Sequence, residues 1–539
     1  MVKSTLIVMA TGTGKTVVMG EVARRWPREQ RIMVLAHREE LIQQAAKKIG
    51  AICSEECAIE MADFATNENV PRSYKNRIVI GSVATLRGKR LEKFDPHEFG
   101  LVMTDEAHHA TANSYRTIYN WFGKNSDLRH LGVTATPDRA DEEALGKVFD
   151  SVAFEYGILD GINDGFLVPI EQQFVHVEGL DLSDCKSDKS DLVGSDVARV
   201  MEVEANLHKV VSPVLDLSGD APTLVFAASV EHAHRMAEIF NRHRQGCAVA
   251  IDGTTDKESR KRDLVRFSRG EFQYLCNVGV FTEGFDEPRV GCVAMARPTK
   301  SRALYAQVAG RGTRPLPGLV DGLDTADERR NAILTSGKPS MLMLDFVGNS
   351  GRHKLCSTAD ILGGNESDEV VDRATLNAKR KSAMGKKTDM RQELIEAREQ
   401  IEDELKARHH ADLALQSKRA HVRAAAKFST QAVNPFDIFD IVPRREPGWH
   451  KGRRPTAGQV KTLEKFKVDQ KTIDGLSFCQ ASQMLDVLCQ RAKQGLCSVK
   501  QAKILAKYGL PTDVTFVSAS QTIDALARNN WKPLTKEMV

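Results

Sequence analysis

No stretch of the 539-residue sequence approaches the roughly 20 consecutive apolar residues that a membrane-crossing helix needs. A secretory leader is lacking too. The run "STLIVMA" at 4–10 is short and leads straight into a glycine-rich loop. These absences predict a cytoplasmic location. The ten cysteines are scattered, and the nearest pair, Cys53 and Cys57, has no second pair close by. A structural zinc site normally needs two such clusters, so ordinary reduced thiols are expected. An excess of one charge is also missing. Lys and Arg number 76 against 72 Asp and Glu, a formal net of +4. The overall field therefore does not announce a polyanion partner, although a local basic groove is compatible with it.

What is present is length and a regular texture. A chain of this size exceeds one ordinary domain and suggests roughly three or four. Its 41% hydrophobic content is enough to build real cores. Residues 1–150 alternate short apolar runs with helical patterns. The runs "STLIVMA", "RIMVLA", "RIVIGS", "LVMTDE" and "HLGVTAT" read as strands, and 38–49 as a helix. Apolar strands alternating with helices predict a parallel sheet covered on both faces. The pattern resumes near 205, with strands at 222–228, 247–252, 273–279, 291–297 and 340–348. A less regular stretch, 151–204, connects the two.

Beyond about 366 the texture changes. Residues 366–430 are charged, with Met390, Leu394, Ala397, Ile401 and Leu405 at helical spacing on one stripe. Residues 431–455 read as a Pro-containing basic linker. An internal repeat fills 456–539. "GQVKTLEKF" (458–466) recurs as "KQAKILAKY" (500–508), and "ASQMLDVL" (481–488) as "ASQTIDAL" (519–526). Two copies of a helix pair are expected, with Ser477 and Ser498 as caps and Gly509 as a terminator. The basic residues of this module, with Trp449, His450, Arg453 and Arg454 just before it, suit nucleic-acid contact, a protein partner or a plain solvated surface equally.

The chemistry begins at "MATGTGKT" (9–16). A strand feeding glycines and then Lys-Thr builds a cradle of backbone N–H groups for phosphates. Gly12 and Gly14 permit the turn, Thr11 and Thr13 line it, and the helix that follows points its positive end at the anion. Lys15 would reach the β- and γ-phosphates of a nucleotide, and Thr16 would ligate Mg²⁺. Downstream, the apolar strand in "LVMTDEAHH" (101–109) delivers Asp105 and Glu106 to its C-terminal end, where ligands sit in open parallel sheets. Asp105 suits the Mg²⁺ shell, and Glu106 suits orienting or deprotonating an attacking water.

At this point the sequence resembles the superfamily 2 helicases. "DEAH" at 105–108 is the box that names one of their groups, and "ATGTGKT" (10–16) is similar to their phosphate loop, in which the first glycine is commonly replaced. "LAHREEL" (35–41), "GSVATL" (81–86), "TATP" (134–137), "NVGVFTEGFDEP" (277–288) and "QVAGRGTR" (307–314) resemble the remaining motifs in family order. The likeness covers about 1–350 and is nearest to bacterial and phage helicases related to type I restriction motor subunits.

The resemblance implies an α/β fold of two tandem RecA-like parallel-sheet lobes, at 1–150 and 205–365, followed by an α-helical C-terminal region. It implies ATP and Mg²⁺ as cofactors, and catalytic roles for Lys15, Glu106, Gln307, Arg311 and Arg314 around the cleft. Asp286 would face the nucleotide. His108, Thr134 and Thr136 would couple hydrolysis to movement, and Arg38, Ser82, Thr85 and Thr282 would grip a nucleic-acid backbone. Backbone contacts carry no sequence information, so weak sequence preference and strong salt dependence are expected. The implied activity is an ATP-dependent DNA helicase or translocase in a bacterial cell or a phage-infected host. An RNA helicase, or a non-catalytic nucleic-acid-binding scaffold, is the alternative. Two departures accompany the likeness. The segment that in such helicases precedes the loop and reads adenine does not precede Met1 in this sequence, and no nuclease motif is present. His353 is expected to be structural.

Overall fold

The computed structural model of the chain describes residues 3–37, 39–61, 75–135, 139–187, 191–279, 285–351, 353–364, 366–422, 438–439, 441, 446, 448–450 and 452–531. Two seven-stranded sheets dominate it. The first is built from β1 (Ser4–Met9), β2 (Arg31–Ala36), β3 (Ala58–Glu60), β4 (Ile78–Ser82), β5 (Phe99–Thr104), β6 (Arg129–Thr134) and β7 (Ser151–Tyr156). They lie in the order β3-β4-β2-β5-β6-β1-β7, and all pairs are parallel. Every residue of β2, β4 and β5 is buried. That is why these strands read as unbroken apolar runs rather than alternating ones. One face is filled by Met19, Ala23, Ile42 and Ile49 from helices Lys15–Arg25 and Glu39–Cys53. The other is filled by Tyr115, Ile118 and Phe122 from helix Asn113–Phe122. Because the sheet is parallel, Met9, Ala36, Ser82, Thr104 and Thr134 all end on one edge.

The second sheet comprises β8 (Ile170–Asp181), β9 (Thr223–Phe226), β10 (Ala248–Ile251), β11 (Tyr274–Asn277), β12 (Cys292–Met295), β13 (Met341–Asn349) and β14 (Thr388–Asp389). Its order is β10-β11-β9-β12-β13-β8-β14, with only β14 antiparallel, against β8. The stretch 151–204, expected to be less regular, is largely ordered into sheet structure: β7 adds an edge to the first sheet and β8 enters the second. Its signal was weak because β8 alternates buried and half-buried residues and carries Glu171, Gln172, Gln173 and His176. Gln172 is buried and donates to the Asp345 carboxylate on β13 at 3.0 Å. A pairing with a distant strand thus accounts for a polar residue in the sheet interior.

The chain divides into two compact units, Met1–Gly364 with Ala374–Glu393, and Asn365–Arg373 with Leu394–Val539. Both sheets belong to the first. Helix Met390–Val422 carries the apolar stripe, of which Met390, Leu394, Ala397 and Ile401 are buried. In the second unit the repeat is built as two superposable frames. Gln459 donates to Phe478 O at 3.3 Å and Ser482 Oγ at 2.7 Å, and Gln501 donates to Phe516 O at 3.1 Å and Ser520 Oγ at 2.9 Å. Ser477 and Ser498 cap helices Phe478–Lys493 and Val499–Lys507. Gly509, at φ 69, follows the latter. Ile438, in the presumed linker, is buried in the module core beside Cys497, Ala502, Leu505 and Ala519. His353 is buried beside Ser187.

Candidate nucleotide site

The glycine-rich loop joins β1 to helix Lys15–Arg25. Gly12 and Gly14 stand at φ 90 and 93, left-handed backbone that residues with a Cβ rarely adopt. Thr13 closes the turn, its N–H and hydroxyl both donating to Ala10 O at 3.3 and 2.7 Å. Gly14 is the N-cap residue, and no side chain caps the helix there. Its first N–H groups are thus left for an anion. Lys15 Nζ lies 3.3 Å from Glu106 Oε1.

Glu106 and Asp105 follow the end of β5. The Asp105 N–H donates to Leu35 O at 2.9 Å on the neighbouring strand, and its carboxylate accepts from the Glu106 N–H at 2.9 Å. That arrangement holds Glu106 in the left-handed region at φ 46, a conformation costly for a non-glycine residue and concentrated at functional sites. Burial, then the adjoining Glu106 carboxylate, pushes the Asp105 carboxyl up to about 6, against the opposing pull of Lys15. Thr16 and Asp105 supply a hydroxyl and a carboxylate, a donor set that fits Mg²⁺, which takes one or two protein oxygens and completes its shell with phosphates and water. His108 Nδ1 lies 3.2 Å from Thr134 Oγ1 and 3.5 Å from Glu106 Oε2, so the DEAH segment meets the TATP segment.

The second sheet presents its residues to the same loop. Gln307 lies on helix Arg302–Ala309, and Arg311 and Arg314 follow it. Arg311 is buried and donates to Phe285 O at 2.7 Å. Arg314 is ion-paired with Asp286. A Cβ built on Gly12 would stand 3.4 Å from Arg314 Cγ and 3.5 Å from its Nε, and one on Gly310 would stand 2.7 Å from Thr11 Cβ. The phosphate loop and the arginine-bearing turn are therefore in direct contact. Ser82 and Thr85 sit at the end of β4, with the Thr85 N–H donating to Ser82 O at 2.9 Å. Arg38, Thr136 and Thr282 lie outside the described residues.

Two features escape the motif reading. Lys338 is buried, and its ammonium donates to Pro288 O and Arg314 O, both at 2.7 Å. It ties the loop behind Asp286 to the backbone of Arg314. The only signal was a lysine shortly before the last apolar run. The rings of His37, His109 and His108 also pack in series, the first pair edge-on at 4.7 Å and the second tilted at 4.0 Å between centroids. They connect the end of β2 to the Glu106 turn.

Residues 2–139 match the family described as type III restriction enzyme, res subunit, and residues 205–315 match the helicase conserved C-terminal domain. This pair, in this order, makes the chain similar to superfamily 2 helicases related to restriction motor subunits. It is similar to a putative ATP-dependent helicase, IRC3, of Saccharomyces cerevisiae, 29% identical over 75% of this chain and 56% of the relative. It is also similar to a putative mitochondrial ATP-dependent helicase of Schizosaccharomyces pombe, 28% identical over 68% of this chain and 57% of the relative. A type I restriction enzyme EcoAI endonuclease subunit of Escherichia coli is 26% identical over 57% and 41% of the two chains. The chain spans 56% and 57% of the lengths of the two yeast relatives. Among the described residues no helix is long and apolar enough to cross a membrane.

Proposed function

We propose that the chain is an ATP-driven DNA motor that couples hydrolysis between its two sheet-bearing lobes to translocation on, or unwinding of, DNA. The observation that supports this reading is the close approach of the Arg314 side chain to Gly12, which would put a cation from one lobe beside the phosphate cradle of the other. Lys15, now paired with Glu106, exchanges that carboxylate for the β- and γ-phosphates when ATP enters. Glu106 then orients the attacking water. Arg311 and Arg314 neutralise charge on the transferred phosphoryl group, with Asp286 aligning Arg314 and Gln307 facing the same cleft. Thr16 and Asp105 would hold Mg²⁺, which would supply charge neutralisation at the phosphates. Loss of the γ-phosphate removes the anion that holds the lobes together. The His108–Thr134 contact carries that change from the Glu106 turn to the end of β6.

Ser82 and Thr85, with Arg38 and Thr282, grip backbone phosphates on both lobes. Residues 1–150 and 205–365 form the motor, and the helical segments after 366 serve as accessory elements. The names of two further relatives, a putative DNA 3'-5' helicase of Halobacterium salinarum and a DNA 3'-5' helicase of Mycobacterium tuberculosis, support DNA as the track. The test is steady-state ATPase of the chain, alone and with single-stranded, duplex and branched DNA and with RNA, at low and moderate salt. Stimulation by DNA that is lost in Lys15→Ala is expected. Stimulation by RNA alone would transfer the track to RNA. Equal, poor hydrolysis by wild type, Lys15→Ala and Glu106→Gln with every polynucleotide would leave a binding scaffold.

A further inference from the structure

The two copies of the C-terminal repeat share a frame but not a cover. The Phe478 N–H donates to Arg453 O at 3.0 Å, and the Phe516 N–H donates to Gly495 O at 3.0 Å. With the paired glutamine bonds, this makes Phe516 the counterpart of Phe478, Val517 of Cys479, and Gly495 of Arg453. In the first copy the face is occupied. The Arg453 guanidinium lies 4.5 Å over the Phe478 ring, and the His450 ring meets it edge-on at 4.8 Å. His450 Nδ1 is also 3.1 Å from Cys479 Sγ. In the second copy the covering arginine is replaced by a glycine without a side chain. Phe516 is 54% and Val517 64% exposed. Among the described residues neither a cation nor a ring lies over Phe516.

Charge selects what can take that place. Residues 452–531 hold twelve Lys and Arg against six Asp and Glu, a net of +6 in a chain whose total is +4. The basic surplus of the whole protein is thus concentrated here. Exposed Lys493 and Lys500 flank Gly495 and Gln501, while Asp513 is already paired with Arg491. A second basic segment like 450–454 would be repelled, whereas a polyanion carrying flat π-faces would be drawn in.

We propose that the bare Phe516 face is a stacking site for a nucleobase of single-stranded nucleic acid, with Lys493 and Lys500 meeting the adjoining phosphates. The base takes the position over Phe516 that the Arg453 guanidinium takes over Phe478. This site rests on the reading of the chain as a nucleic-acid motor and adds a strand contact outside the two lobes. It gives the motor a hold on a strand that does not depend on the nucleotide state of the cleft.

The experiment uses the full chain and a fluorescent oligothymidylate without nucleotide. Phe516→Ala is expected to weaken binding about tenfold, a typical loss for one base stack. Phe516→Tyr keeps the ring and the affinity, and Phe154→Ala, which removes an equally exposed ring from the first lobe, leaves binding unchanged. In Phe516→Trp the added indole fluorescence is quenched by the oligonucleotide. Unchanged thermal midpoints and unchanged DNA-free ATPase establish that the variants are folded. If wild type binds the oligonucleotide and its ATPase is stimulated, but Phe516→Ala binds equally and Phe516→Trp is not quenched, the stacking site is wrong and the motor stands. If Phe516→Ala instead changes only the mass measured by light scattering, the face joins protein chains and the proposal is overturned. Wild type that binds no polynucleotide overturns both readings.

Discussion

Gly310→Ala should slow the motor without unfolding it. Gly310 follows helix Arg302–Ala309 with φ −59 and ψ −15, a helical backbone that alanine adopts without strain. Alanine there removes backbone freedom from the unfolded chain and favours the helix end by up to about 1 kcal/mol. The added Cβ, however, would stand 2.7 Å from Thr11 Cβ and 3.3 Å from Thr11 Cγ2. Carbon atoms prefer about 3.5–4.0 Å, so the two surfaces must part by about 1 Å. Thr11 cannot rotate away, because its Cβ is fixed to the backbone of the phosphate loop. The retreat carries Arg314 away from Gly12, where the transition-state charge develops. A displacement of about 1 Å at a reacting centre costs on the order of 100-fold in rate, or about 2.7 kcal/mol. The assay is DNA-stimulated ATPase beside a thermal melt and binding of a fluorescent ATP analogue. The expected result is kcat lower by about 10- to 100-fold, nucleotide binding retained and a thermal midpoint unchanged or raised. Wild-type kcat in Gly310→Ala would refute the reasoning. Gly312→Ala is the comparison, since its Cβ would press Val293 Cγ2 at 3.0 Å and Met341 Sδ at 3.1 Å inside the second lobe. It should lower the melting midpoint more than Gly310→Ala does.

Glu106→Gln removes the carboxylate proposed to orient water and should reduce single-turnover hydrolysis by about 10²-fold or more while ATP still binds. Retained hydrolysis would move that role to another residue. Asp345 is buried beneath donors from Tyr305 at 2.7 Å and Gln172 at 3.0 Å, and burial nonetheless pushes its carboxyl from 3.8 up to about 7. Its folded value is the higher one, so the folded chain holds the extra proton. The associated stability is complete below about pH 4 and is lost as pH rises through about 7. Asp345→Asn escapes this loss. Its stability relative to wild type should climb between pH 5 and pH 8, by about 2.7 kcal/mol, and a flat difference in chemical denaturation across that range would sink the account. In the repeat module, Gln459→Ala and Gln501→Ala each remove a capping-box partner and two cross-helix bonds. Each should destabilise its own copy by about 1 kcal/mol in a denaturant melt, and markedly unequal losses would argue against equivalent frames.

The strands that carry the site were legible because most of their residues are buried or half-buried, so they read as apolar runs. β1, β2, β4 to β6 and β9 to β13 each overlap an apolar run visible in the sequence. β3, β7, β8 and β14 were not legible. β3 and β14 are very short, β7 is half-exposed at an edge, and β8 spends polar residues on contacts with β13 and helix Thr358–Leu362. Their patterns have meaning only once neighbours are assigned. The repeat was visible as repeated letters, but the exchange of Arg453 for Gly495 gained significance only when the Phe516 ring was seen bare. Lys338 shows the same limit, because its two acceptors are backbone carbonyls that leave no trace in side-chain identity.

The sequence by itself determined the chemistry available: a glycine turn able to adopt positive φ, a lysine and a threonine at the start of a helix, an acidic pair after a buried strand, and arginines after a second set of strands. These are local properties, set by backbone sterics and by the spacing of apolar residues along a strand or helix. Only the tertiary structure decided that Lys15 pairs with Glu106, that His108 reaches Thr134, and that Arg314 lies against Gly12. Those contacts depend on strand order and on how one lobe seats on the other. Such long-range packing is a sum of many weak contacts, and it leaves no pattern in any single stretch of chain.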